Sequence, residues 1–587
     1  MAGTDTVSRL VWHSGEVMEK WVVSAKKADF DEIGRKFGID PVIARLIRNR
    51  DVQGDAAIDA YLNGKISDLP QPQLLKDLDR ALCIIKEKIT QKKRIRIIGD
   101  YDIDGVTATY ILLKGLKRLG AVVDTYIPDR IADGYGIHRP LIEQAAADQI
   151  DTIVTCDNGI AAAAEIALAK EWGMTVVVTD HHEVPYREKE GKKEYILPPA
   201  DAILNPKQAD CPYPNKNLCG AVVAMKLVWA LYDLFGVPES EKEDYLEFAA
   251  IATVGDIMEL QGENRILVKE GLRRIPATKN VGLRELVRAT GLEGGRITAY
   301  HVGFVLGPCI NASGRLDTAA RSLQLFQEEN PEEAARLAGE LVSLNASRKA
   351  LTEEGAKEAI EQIEASNLKE DRVLVVYLPQ CHESLAGIIA GRVRERYHKP
   401  AFVLTRAAEE AKGSGRSIET YSMFDELIKC ADLLIQFGGH PMAAGLSIKE
   451  ENIPVLRERL NSQCTLTEAD FCQKIVVDVA MPVSYISKRL VEQLAVLEPF
   501  GKGNTKPLFG QTKLAVLQPR IFGKNRNVVK MQLMDASGAR INGVYFGEAE
   551  KFVEYVTAKK SVSITYYPEI NRYQGRETLQ VIVQNYR

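Results

Sequence analysis

The sequence predicts an α/β protein of two lobes followed by a small β-barrel. Three observations carry this. Apolar β-type runs (IRIIGD, VVDTYIP, DTIVTCD and TVVVTDHH) recur from Arg94 at βαβ spacing with helical segments between them, the pattern of a parallel sheet covered on both faces. A second α/β unit starts at RVLVVYLP and runs through Gly445. From about Phe471 the chain changes to short alternating strands rich in β-branched residues, with turn signals such as DASG and NRYQG.

The elements follow in order. Residues 1–90 read as mainly helical, in DFDEIGRKFGI, PVIARLIRNR and DLDRALCIIKEKI. Between the strands after Arg94 lie TATYILLKGLKRL, LIEQAAADQ and AAAAEIALAKEWG. Residues 215–300 read as helical, and YLEFAAIATVGDIMEL places Asp256 at the end of an apolar helix. A long charged helix is expected around Pro331–Asn367, with no strong internal repeat or low-complexity tract anywhere.

At 587 residues the chain is too long for one core, and three or four domains are expected. The N-terminus has no basic region followed by an apolar core and no run is long enough to span a bilayer, so neither a secretory signal nor a membrane-spanning helix is expected. Nine scattered cysteines without a C-x-x-C fit reduced thiols in a cytoplasm rather than disulfides or a zinc ribbon. The net charge of −4 is unevenly spread: residues 464–587 hold 17 Lys+Arg against 11 Asp+Glu, a balance of +6, leaving −10 for the rest. The tail is the basic part of the chain.

The chemistry concentrates where apolar runs end in acid. Ligands of parallel sheets bind at the carboxyl ends of the strands, and Asp100, Asp157 and Asp180 fall at those ends. GDYDIDG sets Asp100, Asp102 and Asp104 at alternate positions, which converge on one face if the segment is extended. Taken alone it reads equally well as a solvated acidic turn. TCDNG is an ordinary turn signal, and Asp256 alone reads as an N-cap. DHH is stronger, because the chain has only eight histidines and two stand together after an aspartate. One imidazole could bind a metal while the other donates to a phosphate oxygen. Acids gathered at buried strand ends repel one another unless a cation neutralises them. The oxygen-rich set suggests Mn²⁺ or Mg²⁺ rather than structural zinc.

The second half carries glycine-rich patches, KGSGRS (Lys412–Ser417) and FGGHPMAAG (Phe437–Gly445), with Arg416 and His440, and NASGR places Arg315 beside small residues. Such backbone lets N–H groups approach an anion, and arginine adds a forked donor. The spacing of a nucleotide-binding P-loop is absent. In the tail, Phe500, Phe509, Phe522, Tyr545 and Phe546 interleave with Lys502, Lys506, Lys524, Arg526 and Lys530. That mixture suits single-stranded nucleic acid, with half of the aromatics expected in the barrel core.

Taken together, GDYDIDG, CDNG, DHH and GD (Gly255-Asp256) resemble, in this order, the four motifs of the DHH phosphoesterase superfamily. GSGRS and GGHPMAAG resemble the signatures of its associated domain. The N-terminal extension, NASGR and LEPFGKGNTKPLF resemble the RecJ family of single-strand exonucleases, whose associated domain commonly has a tryptophan where this chain reads QCHESLAGIIAGRVRER. The resemblance implies residues 1–90 as an N-terminal extension, 91–325 as the catalytic domain, 326–368 as a connecting helix, 369–463 as the associated domain and 464–587 as an OB-type barrel, without the further C-terminal domain of longer members. It implies two ions of Mn²⁺ or Mg²⁺. Asp104, Asp157, His181 and Asp256 would hold one, and Asp102 and Asp157 the other, with Asp157 bridging and Asp100 nearby. His182 would face the scissile phosphate. Arg130, Arg315 and Ser414 would bind a 5′-terminal phosphate, and Arg416 and His440 would line the other side of the cleft. The implied activity is 5′→3′ hydrolysis of single-stranded DNA to 5′-mononucleotides in repair and recombination, by a monomer that works beside a helicase and a single-strand-binding protein. A phosphodiesterase of cyclic dinucleotides or short oligonucleotides, a non-catalytic scaffold in a replication complex and an inorganic pyrophosphatase are the rival readings.

Overall fold

Five parallel strands organise the site-bearing unit: β1 (Arg94–Ile98), β2 (Val122–Tyr126), β3 (Thr152–Cys156), β4 (Thr175–Thr179) and β5 (Ala202–Leu204). A computed structural model of the chain describes residues 11–14, 17–130, 136–189, 192–407 and 410–587. The sheet order is β2-β1-β3-β4-β5, every pair parallel. β1, β3 and β4 are buried along nearly their whole length because both faces are covered, with only Arg94 at the start of β1 exposed. The order reverses between β1 and β3, which opens a crevice beyond their carboxyl ends. Pairing of Cys156 with Thr179 brings the ends of β3 and β4 level, so Asp157 and Asp180 emerge side by side.

Helices complete this unit, which comprises Asn63–Ala350 and Pro499–Thr505. α1 (Ile103–Arg118) packs on α2 (Gly220–Phe235) and on α3 (Leu246–Gly255). Gly115 of α1 meets Val228 of α2 so closely that a Cβ there would sit 2.7 Å from its methyls. α4 (Gly307–Leu316) is preceded directly by a helical turn, Ala299–His301, and a π-helical turn, Val302–Leu306. α2 is tied down by a buried ion pair. Lys226 Nζ lies 2.6 Å from Glu263 Oε1, which also accepts from Tyr213 Oη at 2.8 Å.

α5 (Pro331–Glu364) starts where the sequence indicates and stops three residues short of the expected Asn367. The second unit comprises Met1–Leu62, Leu351–Glu498 and Lys506–Arg587. Its sheet is ordered β6 (Leu374–Tyr377), β7 (Ala401–Arg406), β8 (Ala411–Arg416), then β10 (Ala443–Ile448) and β9 (Leu434–His440) at the edge, with only β6–β7 parallel. The tail forms β11 (Phe509–Phe522), β12 (Val528–Met534), β13 (Arg540–Phe546), α6 (Ala549–Ala558), β14 (Val562–Tyr573) and β15 (Arg576–Tyr586). β11 pairs with both β12 and β14, which closes the strands into a five-stranded barrel whose one parallel pair is β13–β15, the OB arrangement.

Two features depart from the sequence reading. The first residues are not purely helical: strands Val11–Ser14 and Val17–Val23 form a hairpin, and the second pairs in parallel with Gln473–Val477. A strand whose partner comes from so distant a part of the chain leaves little local signal. The segment Pro499–Thr505, which carries Phe500 and Lys502, belongs to the site-bearing unit rather than to the barrel. There Leu260 N donates to Lys502 O at 2.8 Å, and Gln261 Nε2 to Gly503 O at 2.7 Å. Among the described residues no helix is long and apolar enough to cross a membrane.

Removing one partner of a buried, hydrogen-bonded ion pair leaves an uncompensated charge and costs about 3–5 kcal/mol. Lys226→Ala is expected to lower the unfolding free energy by that amount in denaturant melts; a loss below about 1 kcal/mol would show that the pair does not anchor α2.

Candidate metal centre

The acidic motif bends. Asp100 follows the end of β1; Asp102 is the N-cap of α1, its Oδ1 accepting from Asp104 N at 2.9 Å and Gly105 N at 3.0 Å; Asp104 lies in the first helical turn. The carboxylates therefore converge by strand end, cap and helix turn, not by alternation along an extended segment. Gly105 permits the tight entry, since a Cβ there would lie 2.5 Å from Asp100 O. Asn311 Oδ1 on α4 accepts from Ile103 N at 2.8 Å and holds the turn from the other side.

Asp104 is fully buried, and α2 begins directly against it. Gly220 N donates to its Oδ2 at 2.6 Å and Ala221 N to its Oδ1 at 2.8 Å. The N-cap residue of α2, Cys219, supplies no side-chain cap. A carboxylate from 116 residues before Gly220 satisfies the free amides and the positive helix end instead. Gly220 is required here, because a Cβ would stand 2.7 Å from Asp157 Cβ and 2.8 Å from its Oδ1.

Asp157 occupies a left-handed turn, φ 60°, directly after β3, with its N–H donating to Thr179 O at 3.0 Å. Ile257, next to Asp256, has φ 56°, and such strain in non-glycine residues concentrates at functional sites. Asp256 caps the C-terminus of α3, so its carboxylate adds negative charge to the negative helix end. It is not the N-cap that the local sequence also allowed. His181 Nε2 faces three of these acids, 3.0 Å from Asp157 Oδ1, 3.6 Å from Asp104 Oδ2 and 3.7 Å from Asp256 Oδ2. Two groupings have ligand atoms close enough to share an ion, Asp104 with His181 and Asp256, and Asp100 with Asp102 and Asp157; a third joins Asp157 to His181 and His182. The Oδ1 atoms of Asp100 and Asp157 are buried without a hydrogen-bond donor. Orphaned carboxylate oxygens beside a neutral imidazole fit a hard divalent cation.

The electrostatics agree. Burial, and then the Asp102 carboxylate, push Asp100 up to about 8 and Asp104 up to about 6. Burial and Asp104 push Asp256 up to about 8 and raise Asp157 well above the ordinary range. Burial, with the His182 charge beside it, holds His181 down at about 3, so its imidazole is neutral and its lone pair available. Asp180 behaves in the opposite sense to the other acids. Burial alone would raise it, but the His182 hydrogen bond and charge hold it at about 2. Its Oδ1 accepts from His181 N at 2.7 Å, from His182 N at 3.0 Å and from His182 Nδ1 at 2.8 Å, while its Oδ2 accepts from Ile160 N at 2.8 Å. An ionised carboxylate only accepts, so Nδ1 of His182 carries a proton. Burial disfavours its charge, but Asp180 outweighs that and raises His182 to about 9.

The other expected residues divide between the units. Arg130 stacks 4.0 Å over the Tyr101 ring, with its Nε buried and without a partner, and the charges of Arg130 and Arg315 both act on Tyr101, next to Asp100. Ser414, Arg416 and His440 lie in the second unit. Arg416 of β8 and His440 of β9 are both paired opposite Ala443 of β10, in one row across the sheet, and Ser414 is two residues from Arg416 on the same face. In the barrel, Phe509 is core and Tyr545 stacks on Phe552, while Phe522 and Phe546 are exposed. Lys530 Nζ lies 5.5 Å from the Phe522 ring centre, and Lys506 caps Tyr567.

Comparison with known proteins gives consistent matches. Residues 94–253 match the DHH family N-terminal domain, 370–465 the DHHA1 domain and 477–585 the RecJ OB domain. The chain is 36% identical over 571 residues to the single-stranded-DNA-specific exonuclease RecJ of Bacillus subtilis, covering 96% of this chain and 70% of that protein. With RecJ of Escherichia coli it shares 32% identity over 569 residues, covering 93% and 96%. Among solved structures, RecJ of Thermus thermophilus in complex with Mn²⁺ is similar at a TM-score of 0.82 and 30% identity, over 97% of this chain and 79% of that one; its Mg²⁺ complex is similar at 0.75 and 28%, over 97% and 78%.

Acids whose folded pKa is raised keep protons that the unfolded chain releases, so without metal the folded state loses stability as pH rises from about 4 to about 8. A divalent cation must displace those protons, so its affinity rises over the same range. The gain in Tm on adding Mn²⁺ is expected to be larger at about pH 8 than at about pH 6, with proton release by calorimetry. A gain independent of pH would contradict this charge balance.

Proposed function

This chain belongs to the RecJ family of DHH phosphoesterases, and from that premise we propose that it removes nucleotides stepwise from the 5′ end of single-stranded DNA, releasing 5′-mononucleotides in repair and recombination. It is a single-stranded-DNA-specific exonuclease and a metal-dependent hydrolase that uses Mn²⁺ or Mg²⁺. The observation that carries the reading is the cluster of buried carboxylates at the strand-order reversal, with the Oδ1 atoms of Asp100 and Asp157 lacking donors.

Asp104, His181 and Asp256 would hold one ion and Asp102 the other, with Asp157 shared and Asp100 beside the second. When bound, such ions activate water and neutralise charge on the phosphodiester. The protein's own groups do the positioning. Asp180 fixes the ring of His182 through Nδ1, which leaves Nε2–H as a donor to a non-bridging phosphate oxygen. Arg130, flat on Tyr101, and Arg315 would hold the 5′-terminal phosphate, and in the second unit Ser414, Arg416 and His440 would contact the substrate. The division into residues 1–90, 91–325, 326–368, 369–463 and 464–587 is part of this reading. So are a monomeric state, a helicase and a single-strand-binding protein that expose the 5′ end, and the cytoplasm, which suits nine free cysteines. A scaffold role is disfavoured because no ligand position is lost, and a dinucleotide phosphodiesterase or a pyrophosphatase has no use for the barrel.

The direct test is a time course on 5′- and 3′-labelled single strands, duplex and RNA, with and without Mn²⁺; release of label from the 3′ end first would overturn the polarity. Asp157→Ala forfeits several kcal/mol of charge stabilisation and is expected to lower turnover by about a thousandfold or more with folding retained. Asp180→Asn leaves the ligands in place but loosens His182 and is expected to cost about 10–100-fold; equal losses in both variants would refute the separate roles. Lys524→Ala with Lys530→Ala is expected to make the slope of log affinity against log salt shallower by about 1.4, near 0.7 per lost phosphate contact on a single strand. An unchanged slope would take these lysines out of the interface.

A further inference from the structure

The row of strand ends that bears the metal centre also carries a cation with no part in the chemistry described so far. Across the sheet, in the order β2-β1-β3-β4-β5, the segments that follow the strands bring Arg130, Asp100, Asp157, Asp180 and Lys207. Arg130 lies beyond one edge strand and Lys207 beyond the other, so the acids stand between two positive groups. Lys207 comes three residues after β5, at the same carboxyl edge.

The turn that carries Lys207 is locked to the histidine turn. Asp180 N donates to Leu204 O at 3.0 Å. Asn205 is fully buried, and its side chain engages both turns: Nδ2 donates to His182 O at 2.9 Å, and Oδ1 accepts from Lys207 N at 2.8 Å. The backbone of Lys207 is therefore fixed against His182 without help from its own side chain. That side chain is 19% exposed, and its Nζ lies 3.0 Å from Oε1 of Glu183, whose side chain is 73% exposed. An ion pair with so exposed a partner is weak, so an anion in the crevice can take Nζ from Glu183. The Lys207 charge also reaches the metal centre. Burial sets the main shifts of His181, downward, and Asp256, upward, and the Lys207 charge acts on both in the lowering direction.

We propose that Lys207 binds the phosphate of the internucleotide linkage that follows the scissile one on its 3′ side. The proposal rests on the exonuclease reading and gives the strand a direction across the sheet. With the 5′-terminal phosphate at Arg130 and the scissile phosphate at Asp157, the next phosphate falls toward β4 and β5. Neighbouring strands are about 4.8 Å apart, so β5 lies about 10 Å beyond β3, a distance that the flexible four-carbon stem of lysine narrows. A point charge with rotatable donors suits a backbone phosphate, and a phosphate contact positions the strand without reading its sequence.

The test uses the full-length enzyme with Mn²⁺ and follows release of the first mononucleotide from short 5′-phosphorylated single strands. One strand has phosphate throughout. A second carries an uncharged methylphosphonate at the linkage after the scissile one, and a third carries it one linkage further on. For the wild type, kcat/KM on the first strand is expected to exceed that on the second about tenfold, through KM rather than kcat. Lys207→Met, which keeps the side chain's length without its charge, is expected to bring that ratio close to unity, and Lys207→Arg to retain it. The ratio compares two strands in one variant, so any effect of the Lys207 charge on the metal ligands cancels. A wild-type ratio near unity, the wild-type ratio persisting in Lys207→Met, or a dependence on Lys207 that appears only with the third strand would overturn the contact. A wild-type enzyme that fails to degrade the all-phosphate strand would instead refute the exonuclease reading.

Discussion

The mutual repulsion of carboxylates at the end of a buried sheet is the constraint on which the rest of the site depends. Asp100, Asp104, Asp157 and Asp256 are all held above their ordinary pKa by burial and by one another. A fold does not keep such a cluster for stability, since each ionised member opposes its neighbours. The surroundings are built to sustain it. The amides that begin α2 hold Asp104, Asn311 holds the α1 entry, and His181 is kept neutral. Asp180 alone is stabilised as an anion, because its work is to orient His182 rather than to face a cation.

The same contrast explains how two adjacent histidines differ in role. His181 and His182 have ring centres 4.5 Å apart. One points into the acids and loses its charge to burial; the other is pinned by Asp180 and keeps its charge. A neutral imidazole and a charged one are thereby placed side by side on one short turn after β4.

Much of this was legible in the sequence, because strand ends and acidic motifs are local. The βαβ rhythm located the sheet, and Asp100, Asp157 and Asp180 at strand ends located the crevice. One local feature escaped, and the others were non-local. Alternation in GDYDIDG suggested an extended segment, whereas Asp102 competes for the free amides of α1 and starts a helix there. The start of α2 has no capping side chain, since its cap is Asp104, and nothing near Gly220 signals that. The hairpin strand Val17–Val23 depends on Gln473–Val477, and Pro499–Thr505 leaves the barrel to join Leu260 and Gln261. Core and exposed aromatics of the tail share one composition, so only the barrel's closure separates Phe509 from Phe522 and Phe546.

Asp157 is the residue on which these features meet: a left-handed turn, a glycine that must lie beneath it, an unpartnered oxygen, and ligand atoms grouped with Asp100 and Asp102 on one side and with His181 and His182 on the other. The most direct measurement is the anomalous diffraction of manganese in crystals grown with Mn²⁺. The account predicts two peaks in the crevice beyond β1 and β3, both within coordination distance of the Asp157 carboxylate. A single peak, or two peaks of which Asp157 contacts only one, would contradict it.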